Sequence, residues 1–387
     1  MNDARIDLAQ RMLNLPTQKR RAFLVALKRS GRSVTDLPIP STDPGEPRHL
    51  TGLSSYFWFL DCFGFGGVCH VACGLRFAGD VDVDVLERAL RSVVVRQEAL
   101  RLRFARLDDG GLSATVVPAD RAEIGVRQVD FSGLSSQVAA ARLDNFSAQD
   151  AGDRIDLLTS HGWRATLVHL PEGEQVLLLT LHHILCDGWS MGVLQADLLA
   201  ALAGQLAADP LTPGYLDVQH WQAALAAGGA HDADLAWWQA QFDDVAPAPL
   251  ELPLDRPRPA QRSWRGGRVA QEIPADVADR LRHLAQARGA TLQQVQMAGW
   301  DALLHRLSAA TDLCIGLPVA GRDRAELQQM VGLFVNTLPL RIAVDPGAGF
   351  AGLVDHLRDQ AGAALAHQGV ALDVLTQRLR GDQTAAA

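Results

Sequence analysis

The stretch His182-His183-Ile184-Leu185-Cys186-Asp187-Gly188 constrains this chain more than any other. It follows Val176-Leu177-Leu178-Leu179-Thr180-Leu181, a short apolar run with the character of a buried strand. It precedes Met191, Leu194, Leu198 and Leu202, which recur at helical spacing. Two histidines therefore leave a buried strand just before a bend, where Gly188 lets the backbone turn tightly. Asp187, four residues after His183, is placed to fix the loop through charge and hydrogen bonds. A lone histidine at a strand end is ordinarily packed or solvated, but a pair followed by Asp-Gly at such a bend is a rarer pattern. One imidazole can point into a cleft while its neighbour, on the opposite face of the strand, supports structure. A neutral imidazole takes or gives a proton at cellular pH.

A rival chemistry is written over the same residues. Gly188-Trp189-Ser190-Met191-Gly192 matches G-x-S-x-G, the nucleophile elbow of serine hydrolases. That elbow needs its serine on the strand-to-helix turn itself, whereas here the strand ends several residues earlier. Ser190 is therefore a poor candidate nucleophile.

Composition narrows the class. A chain of 387 residues suits two domains and can bury sizeable cores. With 48% hydrophobic and 21% charged residues it reads as soluble and globular. A net charge of -8 argues against a general nucleic-acid binder. No apolar run approaches the roughly 20 residues of a membrane helix. The N-terminus leads into no signal-peptide core, which predicts a cytoplasmic protein with no membrane partner. The five cysteines have no regular disulfide spacing. Cys69-His70-Val71-Ala72-Cys73 suggests metal ligands at first sight, but no second Cys/His pair stands at zinc-site spacing and the run alternates as a strand. No metal is expected.

Residues 1–47 read as an amphipathic helical leader and linker, broken by Pro38, Pro40, Pro44 and Pro47. Residues 48–244 read as an N-terminal lobe, with strands at Val68–Phe77, Leu100–Leu107, Arg164–Leu170 and Val176–Leu181 and a helix at Val83–Val95. The span 133–162 is poorly patterned. A Pro-rich inter-lobe linker occupies 245–267. Residues 268–387 read as a C-terminal lobe, with helices at Val277–Ala287, Leu292–Leu307 and about Phe350–Ala366, and strands at Leu313–Leu317 and Val335–Val344. Thr291 is a candidate N-cap.

Several segments, in order, carry a family resemblance. Leu181 to Gly192 (LHHILCDGWSMG) resembles the signature of condensation domains of non-ribosomal peptide synthetases, members of the chloramphenicol-acetyltransferase-like acyltransferase superfamily. Arg96-Gln97-Glu98-Ala99-Leu100-Arg101 through Phe104 resembles that family's R-H-E-x-L-R-x-x-F. Tyr215-Leu216-Asp217 through Trp221 resembles Y-x-D-x-x-x-W, and Val331 to Leu338, trailed by Arg341, resembles G-x-F-V-N-T. Leu252 to Pro259 reads like the inter-lobe linker, and Pro318-Val319-Ala320-Gly321-Arg322 like a further element.

The resemblance implies an α/β (α+β) fold of two chloramphenicol-acetyltransferase-like lobes forming a V, with the active site between them. It implies amide (peptide) bond formation between an acyl or peptidyl thioester on a donor peptidyl carrier protein and an aminoacyl thioester on an acceptor. Substrates would arrive on 4'-phosphopantetheine arms, no cofactor would be bound, and neighbouring synthetase modules would be partners. The implied catalytic set is His183, Asp187, Gly188 (an N–H for the oxyanion) and Asn336, supported by His182, Arg341 and Trp221. Two departures set a contrary expectation. Tyr56 stands where the family's first motif, matched by Thr51 to Leu60, has the arginine taken to pair with the motif aspartate, leaving Arg341 or another arginine to compensate. His367 to Asp373 is a worn H-Q-D-x-P-F-E, and the R-D-x-S-R-N-P-L motif is absent, which predicts an incomplete C-terminal lobe. The alternative is a non-catalytic scaffold that docks a carrier protein or a tailoring enzyme.

Overall fold

The computed structural model describes residues 2–50, 52–207, 209–242, 248–257, 259 and 266–384. Thr51 and part of the predicted linker, including Arg258, lie outside the described residues. The fold is α+β, and the chain divides into two compact units: 1–230 with 320–335, and 231–319 with 336–387. Among the described residues no helix is long and apolar enough to cross a membrane.

The first unit opens with α1 (Asn2–Asn14) and α2 (Thr17–Arg29). Met12, Leu13, Leu27, Leu37 and Ile39 are buried in the unit's main core, so the leader of residues 1–47 is not separate but part of this body. Next come β1 (Arg48–His49), α3 (Leu53–Cys62), β2 (His70–Phe77) and α4 (Val83–Arg96). Asp82 caps α4 by accepting from the Asp84 and Val85 amides, and Leu86, Leu90, Val93 and Val94 form its buried stripe. Then follow β3 (Leu102–Arg106), β4 (Leu112–Val116), β5 (Val126–Asp130) and α5 (Ser136–Gly152). The unit continues with β6 (Trp163–His169), β7 (Gln175–His182), α6 (Gly188–Leu202) and α7 (Tyr215–Ala227).

The central sheet has the order β2-β7-β6-β5, with β7 antiparallel to both neighbours and β5 parallel to β6. All eight residues of β7 are buried because both faces of the strand are covered. Leu177, Leu179 and Leu181 enter the main core, while Val176 and Leu178 pack with Ala139 and Leu143 of α5 on the other side. Helix α5 fills the span that carries no clear pattern. Its buried positions are Ala139, Leu143 and Asp150, and Asp150 accepts from Thr180 Oγ1 at 2.7 Å and pairs with Arg164 at 3.2 Å.

The second unit contains α8 (Asp232–Gln241), α9 (Ala275–Ala287), α10 (Leu292–Ser308), β8 (Asp312–Val319), β9 (Asn336–Ala343), α11 (Gly349–Ala366) and α12 (Leu372–Thr384). Thr291 caps α10 in a reciprocal box with Gln294. β8 and β9 pair antiparallel with Leu313 opposite Ile342 and Leu317 opposite Leu338, and all four enter a core with Leu353, Val354 and Leu357 of α11. Two boundaries differ from the sequence reading. The first unit ends at Ala230, not 244, because Trp238 of α8 is buried in the second core and its indole N–H donates to His367 O at 2.8 Å. The segment 320–335, placed by sequence in the C-terminal lobe, returns to the first unit, where Leu327, Met330, Val331 and Phe334 join the main core.

Asp301 of α10 is fully buried, and among the described residues neither carboxylate oxygen has a hydrogen-bond partner. Burial pushes its pKa up to about 7. An unfolded aspartate titrates near ~4, so from about pH 4 to 7 the folded unit holds a proton that the unfolded chain has released, and stability falls as pH rises through that window. Asp301→Asn keeps the shape without the charge. Its melting temperature is expected to match the parent's near pH 4 and to exceed it at pH 8, a gain of about 1–3 kcal/mol. Coincident melts at pH 8 would contradict this reading.

Candidate active site

Strand β7 delivers both histidines at its end. His182 is fully buried, its Nδ1 accepting from the Ile184 amide at 3.1 Å. Burial, reinforced by the neighbouring His70 and His183, drags its pKa down to about 3, so it stays neutral. It faces His70 edge-on, with ring centroids 5.8 Å apart.

His183 is half-buried. Its amide donates to Cys69 O at 2.6 Å, which pins the backbone beside β2. Its ring stacks on Phe57 of α3, with centroids 4.5 Å apart and planes 13° from parallel. Nδ1 is buried with no hydrogen-bond partner among the described residues. Among the described residues no carboxylate bonds to this imidazole, unlike the base of a catalytic triad.

Asp187 caps α6, and its carboxylate is fully engaged. Oδ1 accepts from the Ser190 amide at 2.8 Å and from Arg322 at 3.1 Å, and lies 2.7 Å from Ser190 Oγ; Oδ2 accepts from the Phe334 amide at 3.0 Å. The ion pair is buried, with side-chain exposures of 1% for Arg322 and 2% for Asp187. This resolves the question raised by Tyr56, which is 51% exposed. The cation comes from Arg322, and Asp187 is not left unpaired. Arg341 binds Asp312 at 2.8 Å in the second unit.

Arg322 also donates to Leu327 O and Met330 O, and its guanidinium lies 4.4 Å from the centre of the Phe334 ring. Burial pulls its pKa down and Asp187 opposes the shift, but a guanidinium remains charged. Gly321, which precedes it, has φ +63° and leaves no room for a Cβ against Phe334 O. Gln97, standing where the family has histidine, is fully buried. Its amide donates to Asp197 at 2.7 Å and Gln329 O at 2.9 Å and accepts from the Val331 amide at 2.8 Å. Gln97, Asp187, Ser190 and Tyr215 thus all hold the returning segment.

Gly188 is the first residue of α6 and is exposed. Its N–H has no intrahelical acceptor and sits at the positive end of the helix. Such a donor suits an anion. Trp221 is buried in the main core, a packing residue. Asn336 opens β9 in the second unit and its amide is already committed. Nδ2 donates to Gln368 O and Val370 O, while Oδ1 accepts from the Thr337 and Leu372 amides. Two donors and two acceptor sites exhaust its capacity, so the geometry makes it a clamp on residues 368–372, not a free donor to a tetrahedral species. The structure thus groups His182, His183, Asp187 and Gly188 on one strand-turn-helix, with Trp221 elsewhere in that unit and Asn336 and Arg341 in the other. Sequence reasoning missed Phe57 and the Asp187–Arg322 pair, although the Pro318-to-Arg322 element marked the place.

Ser190 is fully buried, and its hydroxyl touches a carboxylate, a guanidinium and the Gly332 backbone, with no imidazole among them. A serine-directed fluorophosphonate is expected to leave the folded protein unlabelled; stoichiometric labelling at Ser190 would revive the hydrolase reading.

The model of the family described as the condensation domain matches residues 56–387. The phosphinothricin tripeptide synthetase PhsC of Streptomyces viridochromogenes is 33% identical over 98% of this chain, which spans 35% of that synthetase's length. The first condensation domain of the calcium-dependent antibiotic synthetase, solved with a substrate analogue, is 25% identical with a TM-score of 0.72, over 87% of this chain and 78% of that one. The X-domain from teicoplanin biosynthesis, solved in complex with OxyB, is 27% identical with a TM-score of 0.76, over 89% of this chain and 75% of that one.

Proposed function

Because this chain belongs to the condensation domains of non-ribosomal peptide synthetases, we propose that it forms an amide bond between two carrier-bound thioesters. The amine of the acceptor's aminoacyl group attacks the carbonyl carbon of the donor's acyl or peptidyl thioester. The C–N bond forms, the C–S bond breaks, and the donor arm leaves as a free thiol. His183 takes the proton that the attacking nitrogen loses and returns it to the departing sulfur. The Gly188 N–H donates to the oxyanion of the tetrahedral intermediate. Asp187 holds that N–H in place by capping α6, and Arg322 holds Asp187. Substrates come on 4'-phosphopantetheine arms, so donor and acceptor peptidyl carriers and neighbouring modules are the proposed partners.

The observation that carries this reading is the buried Asp187–Arg322 pair at 3.1 Å, which keeps the His183–Gly188 turn built despite Tyr56. Release of the donor thiol tests it. Thiol is expected to appear only when the acceptor carries an amine, and release indifferent to that amine would mean hydrolysis. A second reading, a non-catalytic scaffold docking a carrier or tailoring enzyme, is favoured by the likeness to the X-domain solved with OxyB. Carrier binding with no thiol release would select it.

A further inference from the structure

A base that moves a proton between two substrates must keep its ring in one plane, and a hydrogen bond to a third group usually does this. Among the described residues His183 has no such bond: Nδ1 is buried without a partner, and the Asp187 carboxylate is taken by Ser190, Arg322 and Phe334. What the ring does have is the face of Phe57, at 4.5 Å and 13°. That phenyl group is half-buried on α3 between buried Ser54 and Trp58, whose indole N–H donates to Gly110 O at 3.0 Å and fixes the helix.

We propose that Phe57 is the positioning residue for His183, performing by stacking the orienting task that a carboxylate performs elsewhere. The backbone bond to Cys69 O sets where the imidazole starts, and the phenyl face sets its plane. An imidazole rotated out of that plane loses the stack. The same face favours the positive charge that appears on the ring as it accepts the proton, so the contact strengthens toward the transition state. The kinetic consequence rests on the amide-forming reading of the site; the geometric one does not.

The test is Phe57→Leu and Phe57→Tyr in the full chain, read two ways. By NMR, the His183 ring resonances should lie upfield in the parent, under the ring current of Phe57, move downfield in Phe57→Leu and return in Phe57→Tyr. In carrier-to-carrier transfer, Phe57→Leu should lower kcat about 2- to 10-fold with KM for the carriers unchanged, and Phe57→Tyr should restore it. A Phe57→Leu protein that transfers at the parental rate after its His183 resonances have moved overturns the kinetic role. Resonances that stay put overturn the stack itself. Should the parent transfer nothing while its resonances respond as expected, the proposed reaction falls and the positioning of the ring stands.

Discussion

Replacing His183 with alanine is expected to slow amide formation about 10²- to 10⁴-fold, the usual share of a positioned general base. The turnover that remains comes from holding two carrier arms together, which needs no base. Both kcat and kcat/KM should fall together, because the interaction is made in the transition state. The fold should survive. His183 is half-buried, its Nδ1 has no hydrogen-bond partner among the described residues, and it bonds to Cys69 through its backbone, which alanine keeps. Single-turnover transfer followed by rapid quench, beside a thermal melt, separates the two quantities. An unchanged rate would remove His183 from the chemistry.

Arg322→Ala should have the opposite profile, with its first effect on stability. It strips the cation from a buried carboxylate and removes the guanidinium donor from Leu327 O, Met330 O and Ser190 Oγ. Breaking a buried pair by removing one partner costs about 3–5 kcal/mol, or a melting shift of roughly 6–20 °C for a unit of this size. Arg322→Lys should recover only part of this, since a single ammonium cannot span acceptors arranged for a guanidinium fork. The double variant Arg322→Ala, Asp187→Ala should melt above the sum of the single losses, because it no longer buries an unpaired charge. Strict additivity would mean that the pair is not coupled.

Much of this was legible in the sequence where one physical rule dominated. The run Val176 to Leu181 is apolar on both faces because β7 is covered on both faces, so strand and bend could be read together. α4 and α10 announced themselves by an apolar stripe and by a capping threonine. Helix α5 did not, because it is buried through one alanine, one leucine and an aspartate whose partners, Thr180 and Arg164, lie on strands β7 and β6. The same blindness hid the partner of Asp187. Arg322 lies 135 residues away in a segment that sequence order assigns to the other lobe, and only the tertiary fold brings it back. Asn336 is a related case: a motif gives residue identity, but not whether its four hydrogen bonds are already used.

The measurement that bears most directly on the central claim is the intact mass of a loaded acceptor carrier after mixing with a loaded donor carrier and this chain. A panel of donors and acceptors is needed, with His183→Ala alongside. The account predicts a mass gain on the acceptor equal to the donor's acyl group for at least one pair, strongly slowed in the variant. An acceptor of unchanged mass across the panel, from folded protein and with carriers that a known condensation domain joins, would contradict it.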